Sequence, residues 1–452
     1  MMIAASLLVL SNPNAVGQLP IMGWSGYIAL MQDSGHCDKA GAAGYNETTF
    51  QQTAAVLESS GLRDLGYTYM NLDDCWIADN RSSAGELQAD PTRFPHGMKW
   101  LADLAHQKKL KLGLYAAASI ETCRNFPGSQ GYEEVDAKTF ASWGADFAKL
   151  DSCSPNFLAN GTESWSEQYT RGSKAMNATG RQMVFSCSWA VYWTECAAKN
   201  LPKDWETQCG LIPWENDLIT DSCHLWRYGD DLRPYWGEGA AAPVTSRVLS
   251  PAGKAGVGDV LEFASSIFAY NWRAVSGPGA FLDPDFLAVG CPTDRPCGGV
   301  KQPYPPLNDV EQRSQFSIWC ILAAPLIIGS DLRNLSKTAL ATLSNKRAIA
   351  VNQDPAAYPP RLVAKVNGHN GAHQIWVRPM QNGDVAAALI NTGSAAIDLT
   401  LELRGVLCVA CGDAAMVEDL WGTGAPVLAT GAYTAKGVRP HETVLLRLSL
   451  VK

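Results

Sequence analysis

The sequence predicts a (β/α)8 barrel followed by an antiparallel β domain, an α/β fold with a β-sandwich at its end. Three observations carry that prediction. Eight short apolar segments, most ending in a polar cluster, recur along the first three quarters of the 452 residues. Helix-period patterns fill the gaps between them, and past about residue 350 the texture changes to short alternating runs separated by turn residues.

The strand candidates begin at 21 (IMGWSG), 67 (YTYMNLDD), 111 (KLGLYAA), 147 (FAKLDS), 183 (MVFSCSW), 224 (HLWRYGDD), 279 (GAFLDPD) and 320 (CILAAPLIIGSD). Successive starts lie 36 to 55 residues apart, room each time for a crossover helix and two loops. Phe50, Ala54 and Leu57 recur at helical spacing, with Thr48 and Thr49 ahead as caps and Gly61 as a stop; Leu101, Leu104 and Ala105 share a face before the third strand. The Pro-rich NQDPAAYPP reads as a linker. Beyond it, HQIWVRP, DVAAALINT, AIDLTLEL and ETVLLRLSL read as hairpin strands, joined through turns such as NGD and GTGA. The expected division is a signal-like segment at 1–19, the barrel at 20–350 and the β domain at 351–452. Such a barrel exceeds the ~250 residues typical of the fold, so its surplus is expected in loops, above all 237–258 and Cys291 to Cys297.

Composition narrows the function. Charged residues make up 18% of the chain and hydrophobic ones 46%, against about 25% charged in an ordinary soluble domain, which indicates a large interior. Mean hydropathy is −0.09, and no apolar run reaches the roughly 18 residues of a spanning helix. A net charge of −8 without any Lys/Arg run argues against nucleic-acid or anionic-membrane partners, because neutralising phosphates takes clustered basic side chains. Fifteen Trp, 14 Tyr and 12 Phe exclude a disordered chain. The 13 Cys contain a single CxxC, Cys408 to Cys411, and His369 and His373 are separated by Gly371, which reads as a turn; no metal site is expected, and disulfides with one spare thiol fit better. Secretion agrees with disulfides. Residues 2–10 form a short apolar stretch like a signal h-region, although no positive n-region precedes it, and sequons at Asn46, Asn80, Asn160, Asn177 and Asn334 fit a glycosylated surface.

Barrel enzymes carry their chemistry at the C-terminal ends of the strands. Five of the predicted strands finish in carboxylates: Asp73 and Asp74, Asp151, Asp230 and Asp231, Asp283 and Asp285, and Asp331. Any one of them is explained by capping of the next helix or turn. Five at one rim are harder to explain so, because crowded carboxylates raise one another's pKa and cost stability unless function needs them. There is no phosphate loop, dinucleotide fingerprint or Ser-His-Asp motif, so no cofactor is expected. Carboxylates among many aromatics suggest polyol chemistry: sugar hydroxyls donate to carboxylates, and apolar sugar faces lie on rings, though most Trp residues will be core. A glycosidase needs two carboxyls, one to protonate the leaving oxygen and one as nucleophile or base. Periodicity alone does not say which pair.

At MGW, NLDDCW, LQADPTRFPHG, LKLGLYA, FAKLDSC, FSCSW, WRYGDD, GPGAFLDPD and NQDP, in order from about residue 20 to 450, the sequence resembles glycoside hydrolase family 27, the α-galactosidases and α-N-acetylgalactosaminidases. The resemblance implies a retaining exo-glycosidase acting on terminal α-galactosides, with α-N-acetylgalactosaminidase as the alternative. A non-catalytic galactose-binding protein on a degenerate barrel is a remote third reading. The resemblance puts the nucleophile at Asp151, with Lys149 on the same strand face, and the acid/base at Asp231, Asp230 being the less favoured neighbour. Asp73 and Asp74 match the pair that binds the hydroxyls at C4 and C6, and Arg227, Tyr115, Cys123, Tyr192 and Asp285 take other pocket positions. Tyr27 stands where the family usually carries Trp, a larger ring. Ser188 and Val191 stand where animal-type α-galactosidases have Glu and Leu and the N-acetylgalactosaminidases have Ser and Ala; a Ser leaves room for an acetamido group.

The resemblance also implies the disulfides Cys37–Cys75, Cys123–Cys153 and Cys187–Cys223. Proximity adds Cys196–Cys209 and Cys291–Cys297, with Cys408–Cys411 as the remaining pair and Cys320, in an apolar strand, as the free thiol. The expected partner is an α-galactoside or α-N-acetylgalactosaminide glycoconjugate, with no nucleic acid and no membrane. The expected location is secreted or lysosomal/vacuolar. Relatives occur as monomers and dimers, so a homodimer is compatible.

Overall fold

The computed structural model describes residues 16–31, 45–151, 165–188, 217–228, 231–237, 255–271, 276–294, 297, 304–367, 371–407 and 413–451. Its first sheet contains eight parallel strands: β1 (Met22–Ser25), β2 (Tyr69–Asn71), β3 (Lys111–Ala117), β4 (Phe147–Asp151), β5 (Val184–Cys187), β6 (Leu225–Arg227), β7 (Phe281–Asp283) and β8 (Leu326–Ile328). Spatial order follows the sequence, with β8 beside β1. Just past β7 the ring closes: Leu287 N donates to Ile327 O at 2.7 Å and Gly329 N to Leu287 O at 2.8 Å.

Parallel strands covered on both faces must be apolar almost throughout, and β3 (KLGLYAA) is buried at every residue but Lys111. Tyr69, Phe147, Val184, Leu225 and Phe281, each at the start or first turn inward of its strand, join Ile21 and Ile327 in one buried cluster. This plug closes the N-terminal end of the barrel, so the polar side chains collect at the opposite rim.

The helices between strands are α1 (Glu47–Ser59), α2 (Gly97–Gln107), α3 (Glu133–Trp143), α4 (Trp165–Ala178), α5 (Asp217–Ser222), α6 (Val257–Asn271) and α7 (Asp309–Ile321). Helix α1 buries Phe50, Ala54 and Leu57 as its spacing predicts. Its cap is Asn46, not Thr48 or Thr49. The Asn46 side chain accepts from Thr49 N, whereas both threonines already lie inside the first turn and cannot cap it. Gly61, at φ 79°, follows the helix in the left-handed region.

Helix α7 starts in a capping box of Asn308 and Glu311 and runs through Cys320. Cys320 is therefore buried and free as expected, but on a helix. The strand begins only at Leu326, because the apolar run first completes the buried helix and then turns through Ala323 at φ 54°.

After α8 (Lys337–Leu343) and α9 (Lys346–Asn352), the chain forms β9 (Arg361–Val366), β10 (His373–Pro379), β11 (Val385–Asn391), β12 (Ile397–Glu402), β13 (Ala414–Asp419), β14 (Val427–Thr430), β15 (Ala432–Val438) and β16 (Thr443–Leu450). Six of these make an antiparallel sheet in the order β14-β13-β16-β11-β10-β9, and β12 pairs with β15. Strand β11 is buried along its whole length. Its Ala387 and Leu389 pack with Leu399 and Leu401 of β12, while Ala386, Ala388 and Ile390 belong to the barrel's own core. The two parts thus share a continuous apolar seam.

Cys187–Cys223 and Cys291–Cys297 are bonded. Cys75 and Cys123 are also in disulfides; Cys37, Cys153, Cys196, Cys209, Cys408 and Cys411 lie outside the described residues. Gly371, at φ 77°, makes the turn expected before His373. Among the described residues no helix is long and apolar enough to cross a membrane.

Candidate active site

The rim carboxylates are held by partners from several strands. Asp73 and Asp74 follow β2. The Tyr45 hydroxyl accepts from Asp73 N at 2.5 Å and lies 3.3 Å from Asp73 O, to which it donates. Asp74 accepts from Cys75 N at 2.8 Å and from Arg124 N at 3.1 Å, tying the β2 loop to the β3 loop. Burial pushes the Asp74 carboxyl up to about 7, with the charge of Asp73 adding to it against the donation from Cys75 N.

From β4, Lys149 and Asp151 emerge on one side, as strand alternation requires. Lys149 Nζ donates to Asp73 Oδ2 at 2.9 Å and lies 3.5 Å from Asp151 Oδ2. Burial disfavours the ammonium, but Asp73 and Asp151 outweigh it and its pKa rises. From β6, Arg227 Nη2 reaches Asp285 Oδ2 at 3.0 Å and Asp231 Oδ1 at 3.6 Å. Asp285 also accepts from Leu232 N at 2.8 Å, which fixes the segment carrying Asp231. Burial pushes the Asp285 carboxyl up to about 6 against the pull of Arg227. The Tyr27 hydroxyl donates to Asp231 Oδ2 at 2.8 Å, and the Tyr115 hydroxyl to Cys123 Sγ at 3.2 Å.

Tyr27, Asp73, Asp74, Tyr115, Cys123, Lys149, Asp151, Arg227 and Asp231 wall one cavity of about 220 Å³. That is below the roughly 300–1,000 Å³ of sites for drug-sized ligands and suits one sugar ring. Asp285 lies one layer deeper, beside a space of about 20 Å³ shared with Ser25, Asn71 and Asp283. Ser188 follows β5 and is buried; its N donates to Leu150 O at 3.1 Å, and its hydroxyl has no hydrogen-bond partner among the described residues. It is not among the residues that wall the cavity. Val191, Tyr192 and Asp230 lie outside the described residues.

Asp331 departs from the rim reading. It caps a 3-10 turn, accepting from Arg333 N at 3.1 Å and pairing with Arg333 Nε at 2.8 Å, so its local partners satisfy it. Sequence reasoning missed Phe286 and Arg124, which also line the cavity, and Tyr45, which clasps Asp73. Phe286 had a legible signal, an aromatic directly after a rim acid. Tyr45 had none, being 28 residues from its partner.

Acceptors for hydroxyls, rings for apolar faces and an ammonium between two acids suit a polyol substrate, and at the C-terminal rim of a barrel they define a glycoside hydrolase. The family can be named more closely. Residues 19–242 and 253–354 match the family described as alpha galactosidase A, and 370–448 match its C-terminal beta sandwich domain. The chain is 34% identical to human alpha-galactosidase A over 84% of this chain and 75% of that protein. It is also 34% identical to human alpha-N-acetylgalactosaminidase, over 84% and 79%. The crystal structure of alpha-galactosidase I from Mortierella vinacea superposes with a TM-score of 0.76 at 27% identity, covering 97% of this chain and 99% of that one. The chain belongs to glycoside hydrolase family 27.

Proposed function

We propose that this enzyme is a retaining exo-α-galactosidase with Asp151 as nucleophile and Asp231 as acid/base. The observation that carries the reading is a pair of carboxylates at one cavity, each beside a cation: Asp151 lies 3.5 Å from the Lys149 ammonium, and Asp231 lies 3.6 Å from the Arg227 guanidinium and accepts from the Tyr27 hydroxyl. Their separate roles follow from the positions they hold in the FAKLDSC and WRYGDD motifs. An adjacent cation favours an ionised nucleophile. Asp151 attacks the anomeric carbon as the glycosidic C–O bond breaks, and Asp231 gives its proton to the departing oxygen. Water then attacks the same carbon, its proton passes to Asp231, the ester bond to Asp151 breaks, and configuration is retained. Asp73 and Asp74 accept from hydroxyls at C4 and C6, Arg227, Tyr115 and Cys123 shape the pocket, and Asp285 holds Arg227. The small cavity supports removal of one terminal residue at a time.

A second reading, α-N-acetylgalactosaminidase, is favoured by the small Ser188 with its unpartnered hydroxyl. The division into a catalytic barrel at 20–350 and a β domain at 351–452 is supported by the sheet at β9–β16. Secreted or lysosomal placement is supported by the disulfides and by the exposed sequon residues Asn80, Asn177 and Asn334.

The experiment is Asp151→Asn with an aryl α-galactoside. Hydrolysis is expected to fall on the order of 10⁴-fold or more, and a near-normal rate in that variant would sink the assignment. NMR of the first-formed sugar anomer checks retention in the unmodified enzyme.

A further inference from the structure

We propose that Tyr27 is a positioning residue for the acid/base carboxylate: its hydroxyl holds Oδ2 of Asp231 and so fixes how that carboxyl faces the departing oxygen. The proposal rests on the assignment of Asp231 made above and deepens it.

The chain is built to deliver that hydroxyl. Strand β1 ends at Ser25 and runs into a five-residue π-helical turn, Tyr27–Met31, a geometry frequent at functional sites. The turn is anchored to the end of β8, where Ala29 N donates to Gly329 O at 3.1 Å, and is closed on itself by Leu30 N donating to Gly26 O at 2.9 Å. Ile28 is fully buried against Gly329, where even a methyl group would meet it at 2.6 Å. The ring of Phe286, 6.0 Å from that of Tyr27 and tilted by 52°, backs the phenol from the other side. So held, the hydroxyl meets a carboxylate 204 residues away at 2.8 Å. Burial first, and then the charge of Asp231, keeps the phenol protonated well above its ordinary range, so it acts as a donor.

Among the described residues, charged groups from several elements surround Asp231. Arg227 of β6 is 3.6 Å from Oδ1, beyond hydrogen-bond length, and lies nearer to Asp285, at 3.0 Å. Asp285, after β7, acts on Asp231 with the opposite sign. Arg233, two residues on, and Asp73, after β2, act on the Tyr27 hydroxyl. Lys149, Asp151, Asp74 and Arg124 line the same cavity. With Arg227 shared between two acids, the phenol adds a hydrogen bond that favours the ionised form of Asp231. Tyr27 gives up no proton itself. It steadies the carboxylate left after proton donation, until water returns a proton in the second step.

The test is Tyr27→Phe, which keeps the ring and removes the donor. The alkaline limb of kcat/KM for an aryl α-galactoside is expected to move up by about one pH unit. Loss of activity should be greater for an alkyl than for a dinitrophenyl leaving group, which needs little protonation. An even loss across pH and leaving groups, as packing damage alone would cause, overturns the proposal. Should Tyr27→Phe fold poorly, Tyr27→Leu also removes the donor and is expected to shift the limb in the same direction. Asp231→Ala separates the two readings. Without steep leaving-group dependence and rescue by azide in that variant, the acid/base assignment itself falls; with both, an unmoved pH limb in the Tyr27 variants defeats only the role of Tyr27.

Discussion

Lys149 donates to Asp73 at 2.9 Å although β3 stands between the strands that carry them. The same ammonium lies 3.5 Å from Asp151. One cation therefore joins the proposed sugar-hydroxyl acceptor to the proposed nucleophile, and removing it takes a positive charge from beside two buried carboxylates.

Lys149→Met is accordingly expected to damage the fold and the chemistry together. Removing one partner of a buried ion pair typically costs about 3–5 kcal/mol, which urea unfolding would read as a lower midpoint. The rate with an aryl α-galactoside is expected to drop on the order of 10²–10³-fold, the scale seen when a preorganised charge partner is lost. An unchanged unfolding midpoint would mean that the two carboxylates do not depend on the ammonium.

Asp74 gives the enzyme a pH-dependent stability. Its carboxyl is raised to about 7 in the folded chain, against about 3.9 unfolded. Between these values the folded form keeps a proton that the unfolded form has released, so the contribution of Asp74 is most favourable below about pH 4 and declines as pH rises towards 7. Asp285, at about 6, adds a decline of the same sign. His224 opposes them: burial lowers it to about 4, and its Nδ1 accepts from Phe185 N at 3.1 Å, so its contribution is lost as pH falls below about 6.5. Asp74→Asn imitates the protonated acid. The difference in thermal midpoint between wild type and this variant should therefore change from pH 4.5 to 7.5, with wild type losing ground at the higher end; a constant difference would place the Asp74 carboxyl near its ordinary value.

Ser188→Glu is expected to move preference towards the plain galactoside. Ser188 carries only a short hydroxyl after β5, whereas a Glu side chain there would reach further, present a carboxylate acceptor to a C2 hydroxyl and crowd an acetamido group. The ratio of rates on aryl α-galactoside and aryl α-N-acetylgalactosaminide should rise roughly 10–200-fold, the range of one gained or lost pocket contact. An unchanged ratio would show that the substituent does not reach Ser188.

Much of the site is legible along the chain because strand ends are marked locally. The motif FAKLD ends in Asp151 and places Lys149 on the same face by alternation alone. WRY followed by the acidic pair marks the end of β6. Local marks also mislead. Asp331 has the same strand-end look, but an arginine two residues later satisfies it. Cys320 sits in a run that could be strand or helix, and only the capping box at Asn308 and Glu311 makes it helix.

By itself the sequence determined the barrel, the order of its strands, the antiparallel sheet after them and the carboxylates available at the rim, because periodicity and turn chemistry act over a few residues. The tertiary structure alone decided which of those groups meet. Lys149 finds Asp73 across 76 positions and Tyr27 finds Asp231 across 204; contacts at such separations exist only once the ring has closed through Leu287 and β8 and brought distant strand ends to one mouth.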